Sequence, residues 1–440
     1  MKILQVLLMG YFFLGITLVQ AQTNTSQGQG AGNAGTRNSS FGYQAGKNVV
    51  SNNNSFFGAE AGNANTTGFS NTFVGQAAGF DNVEGNQNVF VGQQAGFSNT
   101  AGSLNLMVGV GAGFSNTVGA GNTLLGYAAG FRSTNSSYNT YVGNSAGREN
   151  EGEENTFLGY AAGSDSEGSR NTYLGHNAGF RSLGANNTFS GYKVGYSNTG
   201  GQNTFTGYLT GQSNRSGFNN TFVGSFAGNK NIGGSRNVFY GFNAGYLNNT
   251  GNENTIIGYN AGFYNEGGSR NVFLGSYAGY LETTADKLHI ENRIREEGEG
   301  SLIYGDFELR GIGINTNNII DDEMVYALSV NGKIRANDDI ITYSGWADYV
   351  FEDDYELKTL EEVESFIQQN KHLPDVPSAK EIEAKGNNLG KTDATLLRKI
   401  EELTLYLIEQ NKAQKAQAYL IEQQGQLIER LEKEINDLKQ

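Results

Sequence analysis

Fifteen asparagines recur through this chain at spacings of 16 or 17 residues: Asn38, Asn54, Asn71, Asn88, Asn105, Asn122, Asn139, Asn155, Asn171, Asn187, Asn203, Asn220, Asn237, Asn254 and Asn271. Each is followed four residues later by one glycine and eight residues later by another, from Gly42 and Gly46 to Gly275 and Gly279. The unit reads Asn-Thr-Phe-Val-Gly-x-x-Ala-Gly-Phe, as in Asn71-Thr72-Phe73-Val74-Gly75, and ends in a variable stretch of Gly, Ser and Asn. Helical repeats need longer units, of about 33 to 47 residues, built from good helix formers. This unit is β-branched, aromatic and punctuated by glycine, so each is expected to be one coil of a parallel β-solenoid. The chain's 63 glycines and 37% hydrophobic residues fit a stack of thin coils better than several globular domains.

Stacked coils lie about 4.8 Å apart, so fifteen would form a rod of roughly 70 Å. An identical Asn in every coil predicts a ladder of side-chain amides bonded along the axis. The recurrent glycines suit corners that need positive φ or close backbone approach. The two residues before the first glycine are usually both apolar, as in Phe73 with Val74 and Ile256 with Ile257. Neighbouring strand residues point to opposite faces, so this strand is expected to be buried on both, one face against a second chain. The alanines Ala78, Ala95 and Ala112, replaced by Val194 and Thr210, suit a tight inner corner. Aromatics after the second glycine, such as Phe80, Phe97, Tyr196 and Phe263, are expected to stack between coils; gripping sugars or a partner is the alternative use.

Residues 1–21 carry Lys2, an apolar run from Ile3 to Val19 and the small Ala21, which reads as a secretory signal and places the mature chain outside the cytoplasm. Residues 22–37 read as a flexible linker, and 38–281 as the solenoid. No later stretch is apolar enough to span a bilayer, so no transmembrane anchor is expected after signal cleavage. The chain has no cysteine, which excludes disulfides and a lipid-modified N-terminal cysteine. Charge is uneven: 12 Lys and Arg stand against 11 Asp and Glu up to residue 281, and 18 against 33 beyond it. That balance offers no basic stripe for nucleic acid.

Beyond the repeats, residues 282–345 read as a β-rich collar, with strands near Lys287–Glu291, Leu302–Tyr304 and Gly311–Ile314 and a hairpin at Asn331-Gly332. Residues 346–394 read as a small helical connector. Capping boxes at Thr359–Glu362 and Ser378–Glu381 start helices near 360–369 and 379–385, with the only two prolines, Pro374 and Pro377, between them. Residues 395–440 read as a coiled coil, with Leu396, Ile400, Leu403, Leu407, Gln410, Gln414, Gln417, Ile421, Gln424, Ile428, Leu431, Ile435 and Leu438 alternating steps of four and three. Ile and Leu in these alternate positions favour two strands, and the glutamine layers set register.

The frame over residues 38–281 resembles the head repeats of trimeric autotransporter adhesins, whose Asn-Ser-x-x-x-Gly motif builds a β-roll from three chains. That resemblance implies a surface-displayed homotrimer, although the unit here is longer and more aromatic, and the chain ends in a polar helix instead of a β-barrel anchor. Residues 286–412, with Tyr326-Ala327-Leu328-Ser329-Val330-Asn331-Gly332, Asn370-Lys371-His372-Leu373-Pro374 and Ile400-Glu401-Glu402-Leu403, resemble the C-terminal regions of Bacteroidota tail-fibre-like proteins. These share a layout with phage tail fibres and endosialidases that end in an intramolecular chaperone. Some such chaperones cleave themselves at a Ser-Asp-x-Arg-x-Lys-type segment. Ser344-Gly345-Trp346-Ala347-Asp348-Tyr349 keeps a Ser but lacks the Asp, Arg and Lys at that spacing, so cleavage is not expected.

Nothing in the sequence singles out catalytic, cofactor-binding or metal-binding residues. The three histidines, His176, His289 and His372, are isolated in sequence. Gly30-Ala31-Gly32-Asn33-Ala34-Gly35 matches a dinucleotide fingerprint but follows no strand, and reads as linker. Glu151, Glu153, Glu154, Asp165 and Glu167 do not recur in register and read as solvated turns, not a calcium site. The expected function is therefore an exported fibre or adhesin at the cell surface, self-assembled and presenting a repeated surface to glycans or another surface protein. A tail-fibre-type receptor-binding protein with a C-terminal chaperone module is the alternative, an enzyme the third reading, and a periplasmic location the alternative to the surface.

Overall fold

The computed structural model describes residues 24–294, 300–321, 324–338 and 340–438. The expected signal segment lies outside them. The chain divides into two compact units, residues 1–333 and 334–440.

The first unit is mainly β, dominated by a parallel β-solenoid. Its seventeen parallel strands run from β1 (Thr25–Gln27) and β2 (Ser39–Phe41) to β16 (Val272–Leu274) and β17 (Lys287–Ile290), all in one register. A typical coil places Phe73 opposite Phe56 and Phe90 in the strands on either side. From β2 to β16 the middle side chain of each strand is buried: Phe73, Phe157 and Phe222 are 0% exposed, and Phe73 stacks on Phe90 with ring centroids 4.7 Å apart. Its neighbour Val74 is 37% exposed on the outer face. The expectation of a strand buried on both faces therefore holds on one face within the chain. Ala78, Ala95, Ala112, Val194 and Thr210 are fully buried at the inner corner, as their size suggested.

The glycines are steric necessities at two corners. Gly75 has φ +132°, and a Cβ there would lie 2.5 Å from the Gly92 carbonyl oxygen of the next coil. At Gly79, with φ +58°, a Cβ would lie 2.5 Å from the Phe73 ring. Each corner demands both a backbone that L-residues avoid and space that only hydrogen can occupy.

The anchoring asparagines bond differently from the expected amide ladder. Asn71 Oδ1 accepts the backbone N–H of Asn88 at 2.9 Å, and Asn71 Nδ2 donates to the Gly85 carbonyl at 2.8 Å. Each side chain thus clamps backbone to backbone instead of amide to amide. A true side-chain ladder stands at a second position, eleven residues after the anchor. There Asn82 Nδ2 donates to Asn65 Oδ1 at 2.7 Å, and Asn99 to Asn82 at 2.7 Å; Asn116 and Asn248 continue the pattern in their own runs. Where Tyr replaces the inward Phe, this slot accepts its buried hydroxyl: Tyr141 donates to Asn150 Oδ1 and Tyr173 to Ser182 Oγ, both at 2.7 Å.

The segment expected to be a linker carries the first coil. Asn24, Gly28 and Gly32 repeat the frame, Asn24 Oδ1 accepts the Asn38 N–H at 2.9 Å, and Gly32 N–H reaches Ala45 O at 2.9 Å. The apparent dinucleotide fingerprint is part of this coil. At the other end the sheet changes direction: β18 (Ile303–Asp306) and β19 (Gly311–Ile314) pair antiparallel, and β22 (Leu328–Val330) pairs parallel with β19. The two-residue strands β20 (Ile320–Asp321) and β21 (Met324–Val325) form a separate antiparallel pair. The expected hairpin at Asn331-Gly332 does not form, because Asn331 N–H donates to Ile314 O and no strand follows.

The second unit holds α1 (Leu360–Asn370), α2 (Ala379–Lys385) and α3 (Leu389–Leu438). Both capping boxes form, with Thr359 and Ser378 each exchanging bonds with the Glu three residues on. The long helix begins at Leu389, earlier than the heptad pattern indicated, where Lys391 N–H finds Asn388 Oδ1 at 2.9 Å. Its first third is tied to the rest of the unit: Tyr355 donates to Glu402 at 2.6 Å, Tyr406 to the Lys358 carbonyl, and Asp375 pairs with Arg398 and Lys399 at 3.3 and 3.4 Å. From Leu407 to Leu438 every side chain is exposed. No helix among the described residues is long and apolar enough to cross a membrane.

Candidate interaction surface

Two features of the rod present chemistry outward. The first is the outer strand face. Flanking each buried ring are one row rich in Thr (Thr72, Thr156, Thr172, Thr221) and one rich in apolar residues (Val74, Leu158, Leu174, Ile257), all partly or well exposed. Identical coils repeat this pair at each step of the stack, a direct consequence of the shared register.

The second is an aromatic row after the first glycine. Tyr160, His176, Tyr192 and Tyr208 stack in succession with centroids 4.8, 5.3 and 5.2 Å apart, and the Lys193 ammonium stands 5.4 Å from the Tyr192 ring. A separate row after the second glycine joins Phe80, Phe97 and Phe114 at 5.1 Å spacing. Rings stacked this way cover one another's faces and present edges and hydroxyls. That suits packing between coils, the use expected from the sequence, and leaves little flat face for a sugar ring. Near the end of the rod the pattern loosens: Phe226 meets Phe242 at 80°, Tyr259 meets Tyr277 at 71°, and Tyr264 meets Tyr280 at 86°. Here ring faces turn away from their neighbours. Burial, and the hydroxyl of Tyr264 beside it, push the Tyr280 phenol above its ordinary range.

The acidic turn residues do not converge. Asp165 faces Arg181 at 3.7 Å, Glu151 accepts from the Thr134 hydroxyl at 3.0 Å, and Glu153, Glu154 and Glu167 are exposed. Among the described residues no group of three or more His, Cys, Asp or Glu is placed to hold a metal ion. His372 caps its own turn, its Nδ1 lying 2.9 Å from the Leu373 carbonyl.

One histidine does find company. In the last parallel coil the repeated side chains are replaced by ionisable ones. Lys287 stands in the anchoring Asn place, its N–H on Asn271 Oδ1 at 2.8 Å; Glu282 takes the second Asn slot; His289 sits opposite Phe273; and Glu291 replaces the corner glycine. His289 Nδ1 lies 2.6 Å from Ser301 Oγ, and its Nε2 lies 3.2 Å from Glu282 Oε2. Burial opposes ionisation of Glu282, but hydrogen bonds from His289 and from Thr284 outweigh it and hold the carboxyl at about 2. Lys287 and Asp306 pair across β17 and β18 at 2.8 Å; despite the cost of burial, that bond keeps Lys287 charged to higher pH and Asp306 to lower. Sequence reasoning missed this cluster because its members appear only as failures of the repeat.

The order Ser–His–Glu invites comparison with a nucleophilic triad, and the geometry answers it. Ser301 is only 3% exposed, its N–H is spent on Asn317 Oδ1 at 2.9 Å, and the Glu291 carboxylate stands 3.5 Å from its Oγ. A nucleophile needs access and donors that stabilise a developing oxyanion; an adjacent carboxylate does the reverse. The cluster closes the end of the solenoid core with hydrogen-bonded polar groups.

No protein family matches the chain, and no curated protein or solved structure proved similar. Function has to be read from the geometry.

Proposed function

We propose that this protein is an exported structural fibre with adhesin-like character, in which a rigid repeat rod offers one surface many times over and several copies assemble side by side. The observation that carries the reading is the single register of the parallel strands, which sets the same outward side chains at each coil. Such an array gains avidity from weak contacts repeated along one body, without any enclosed pocket. Ligands in keeping with the exposed threonine hydroxyls, and with the ring faces freed near the end of the rod, are cell-surface glycans or another surface protein. The resemblance to autotransporter heads favours display at the cell surface after signal-directed export. The tail-fibre reading shares the rod and differs in making the protein a receptor-binding component whose C-terminal region, about residues 286–412, serves as a trimerisation or chaperone module.

Assembly is supported by α3. Its heptad residues Leu407, Ile421, Ile428 and Ile435 are half exposed or more, although burying such side chains is worth about 1.5–3 kcal/mol each. A coiled coil of identical chains would cover them and stack glutamine on glutamine. Beside this seam, in the place just before Leu407, Gln414, Ile421 and Ile428, stand Tyr406, Ala413, Leu420 and Leu427. These widen the apolar stripe beyond the two positions per heptad of a two-helix seam, which favours three chains. The test combines light scattering of the full chain with glycan-array binding and protease shaving of intact cells. Three-chain mass, glycan capture and surface cleavage are expected; a single-chain mass would end the fibre reading, and an inaccessible protein that binds nothing would end the adhesin one.

A further inference from the structure

We infer that the second unit contains the seat for a second copy's α3: an apolar groove of about 420 Å³ walled by Leu360, Val363 and Leu373 and floored by Leu396, Ile400 and Leu403 of α3 itself. This inference rests on the proposed assembly and names the surface that starts it.

The groove's floor belongs to the heptad seam. Leu396, Ile400 and Leu403 are its first three members, yet they remain 50%, 60% and 57% exposed even though α1 and the proline connector pack beside them. The folded unit therefore grips the flank of α3 beside the seam: Lys399, Glu402 and Tyr406, which also line the groove, carry the bonds to Asp375, Tyr355 and the Lys358 carbonyl, while Leu396, Ile400 and Leu403 stay half exposed or more. The groove opens onto Leu407 and the heptad stripe beyond it, where every side chain to Leu438 is exposed. An apolar groove continued by a heptad stripe along one helix has the shape of a bed for a second helix. A small apolar ligand would fill the pocket and leave the rest of the stripe in water.

A second copy fits best because the stripe is self-complementary only in parallel register. Then Gln410, Gln414, Gln417 and Gln424 meet their own counterparts, and the apolar layers on either side meet theirs. In that register the incoming helix lays its own Leu396 to Leu407 stretch into the groove, and Leu360 and Leu373 close over its flank. The folded unit then acts as an alignment fixture: it opposes slippage by a heptad, because a helix shifted one way would leave the walls facing Gln410 and shifted the other way facing Asp393.

The full chain tests this by light scattering across a dilution series, with circular dichroism checking that the helices persist. Leu360→Glu combined with Leu373→Glu lies off the seam and is expected to raise the concentration of half-assembly at least tenfold with helix signal intact; the milder Leu360→Ala with Leu373→Ala is expected to shift it in the same direction and covers the case in which the glutamates unfold the unit. Ile428→Glu, on the seam alone, is the control. If Ile428→Glu disperses the assembly while both wall pairs assemble at the wild-type concentration, the groove is overturned and the coiled coil survives. If the wild-type chain stays single at every concentration, the assembly reading and the groove fall together.

Discussion

The solenoid and the long helix are both periodic and both apolar along one stripe, but they satisfy that stripe in opposite ways. Most coils turn a ring inward onto the neighbouring one, as Phe205 does on Phe189 and Phe222, and Met107, Leu124 and Ile256 fill the same place elsewhere, so the rod packs a core within one chain. Helix α3 turns its leucines and isoleucines outward along its distal length and buries only Gly390 and Ala394. Stability of the rod should therefore be a property of the chain, and that of the distal helix a property of concentration.

Several experiments would break or sharpen this contrast. The largest effect is expected from Phe205→Ala, which opens a cavity in the stack: a loss of about 3–5 kcal/mol in urea unfolding of the full chain, independent of protein concentration. A change under 1 kcal/mol would mean that the rod's core is not the continuous stack described. Next comes the acid limb of stability. The Glu282 carboxyl is held at about 2, below the usual value near 4.5. A depressed folded-state value contributes stability that is complete above the unfolded value and is lost as pH falls through the folded one. Wild type should lose up to about 3 kcal/mol between pH ~4.5 and ~2, and Glu282→Gln should lose it already at neutral pH and show a flatter acid limb. Parallel acid limbs for the two proteins would remove Glu282 from the cap's energetics.

A smaller loss, about 1–3 kcal/mol, is expected for Asn99→Ala, which removes one of the two acceptors of the Asn116 amide and the Asn99 donor to Asn82 Oδ1. Asn99→Asp would separate hydrogen bonding from volume. The exposed pair Arg236–Glu253, 2.8 Å apart, should matter least: Arg236→Ala within about 1 kcal/mol, and less at high salt. On the other side of the comparison, Ile428→Ala should leave dilute-chain unfolding nearly untouched while weakening assembly, whereas Phe205→Ala should do the reverse.

Much of the rod was legible because a repeat states its physics many times. The anchoring asparagines, corner glycines and inner alanines needed only the spacing to be seen. What escaped was whatever deviated from it. The first coil was hidden because Asn24 precedes Asn38 by 14 residues, too short for the period, although its glycines keep the frame. The second Asn ladder was hidden because Ser133, Ser166 and Ser182 interrupt it. The terminal cluster was invisible as a site, since the last coil brings Glu282 to His289 and the antiparallel return into β18 brings Ser301 to them. The doubly apolar strand makes a related point. Alternation turns Phe73 inward and Val74 outward, so the chain by itself covers only the first of the two faces that were expected from the sequence to be buried. The helical unit was read well where a local rule governs, as in its two capping boxes, and its tertiary ties through Tyr355 and Tyr406 carried no sequence pattern.

The anchoring bonds each reach one coil ahead, spanning 16 or 17 residues from Asn54 to Asn71 and onward to Asn271. Nearest-neighbour stacks of this kind have no preferred total length. Duplicating or deleting a whole unit would preserve every clamp and leave both ends intact, so the gene can lengthen or shorten the rod in steps of about 4.8 Å without redesigning it. Reach along the axis is thereby a heritable trait.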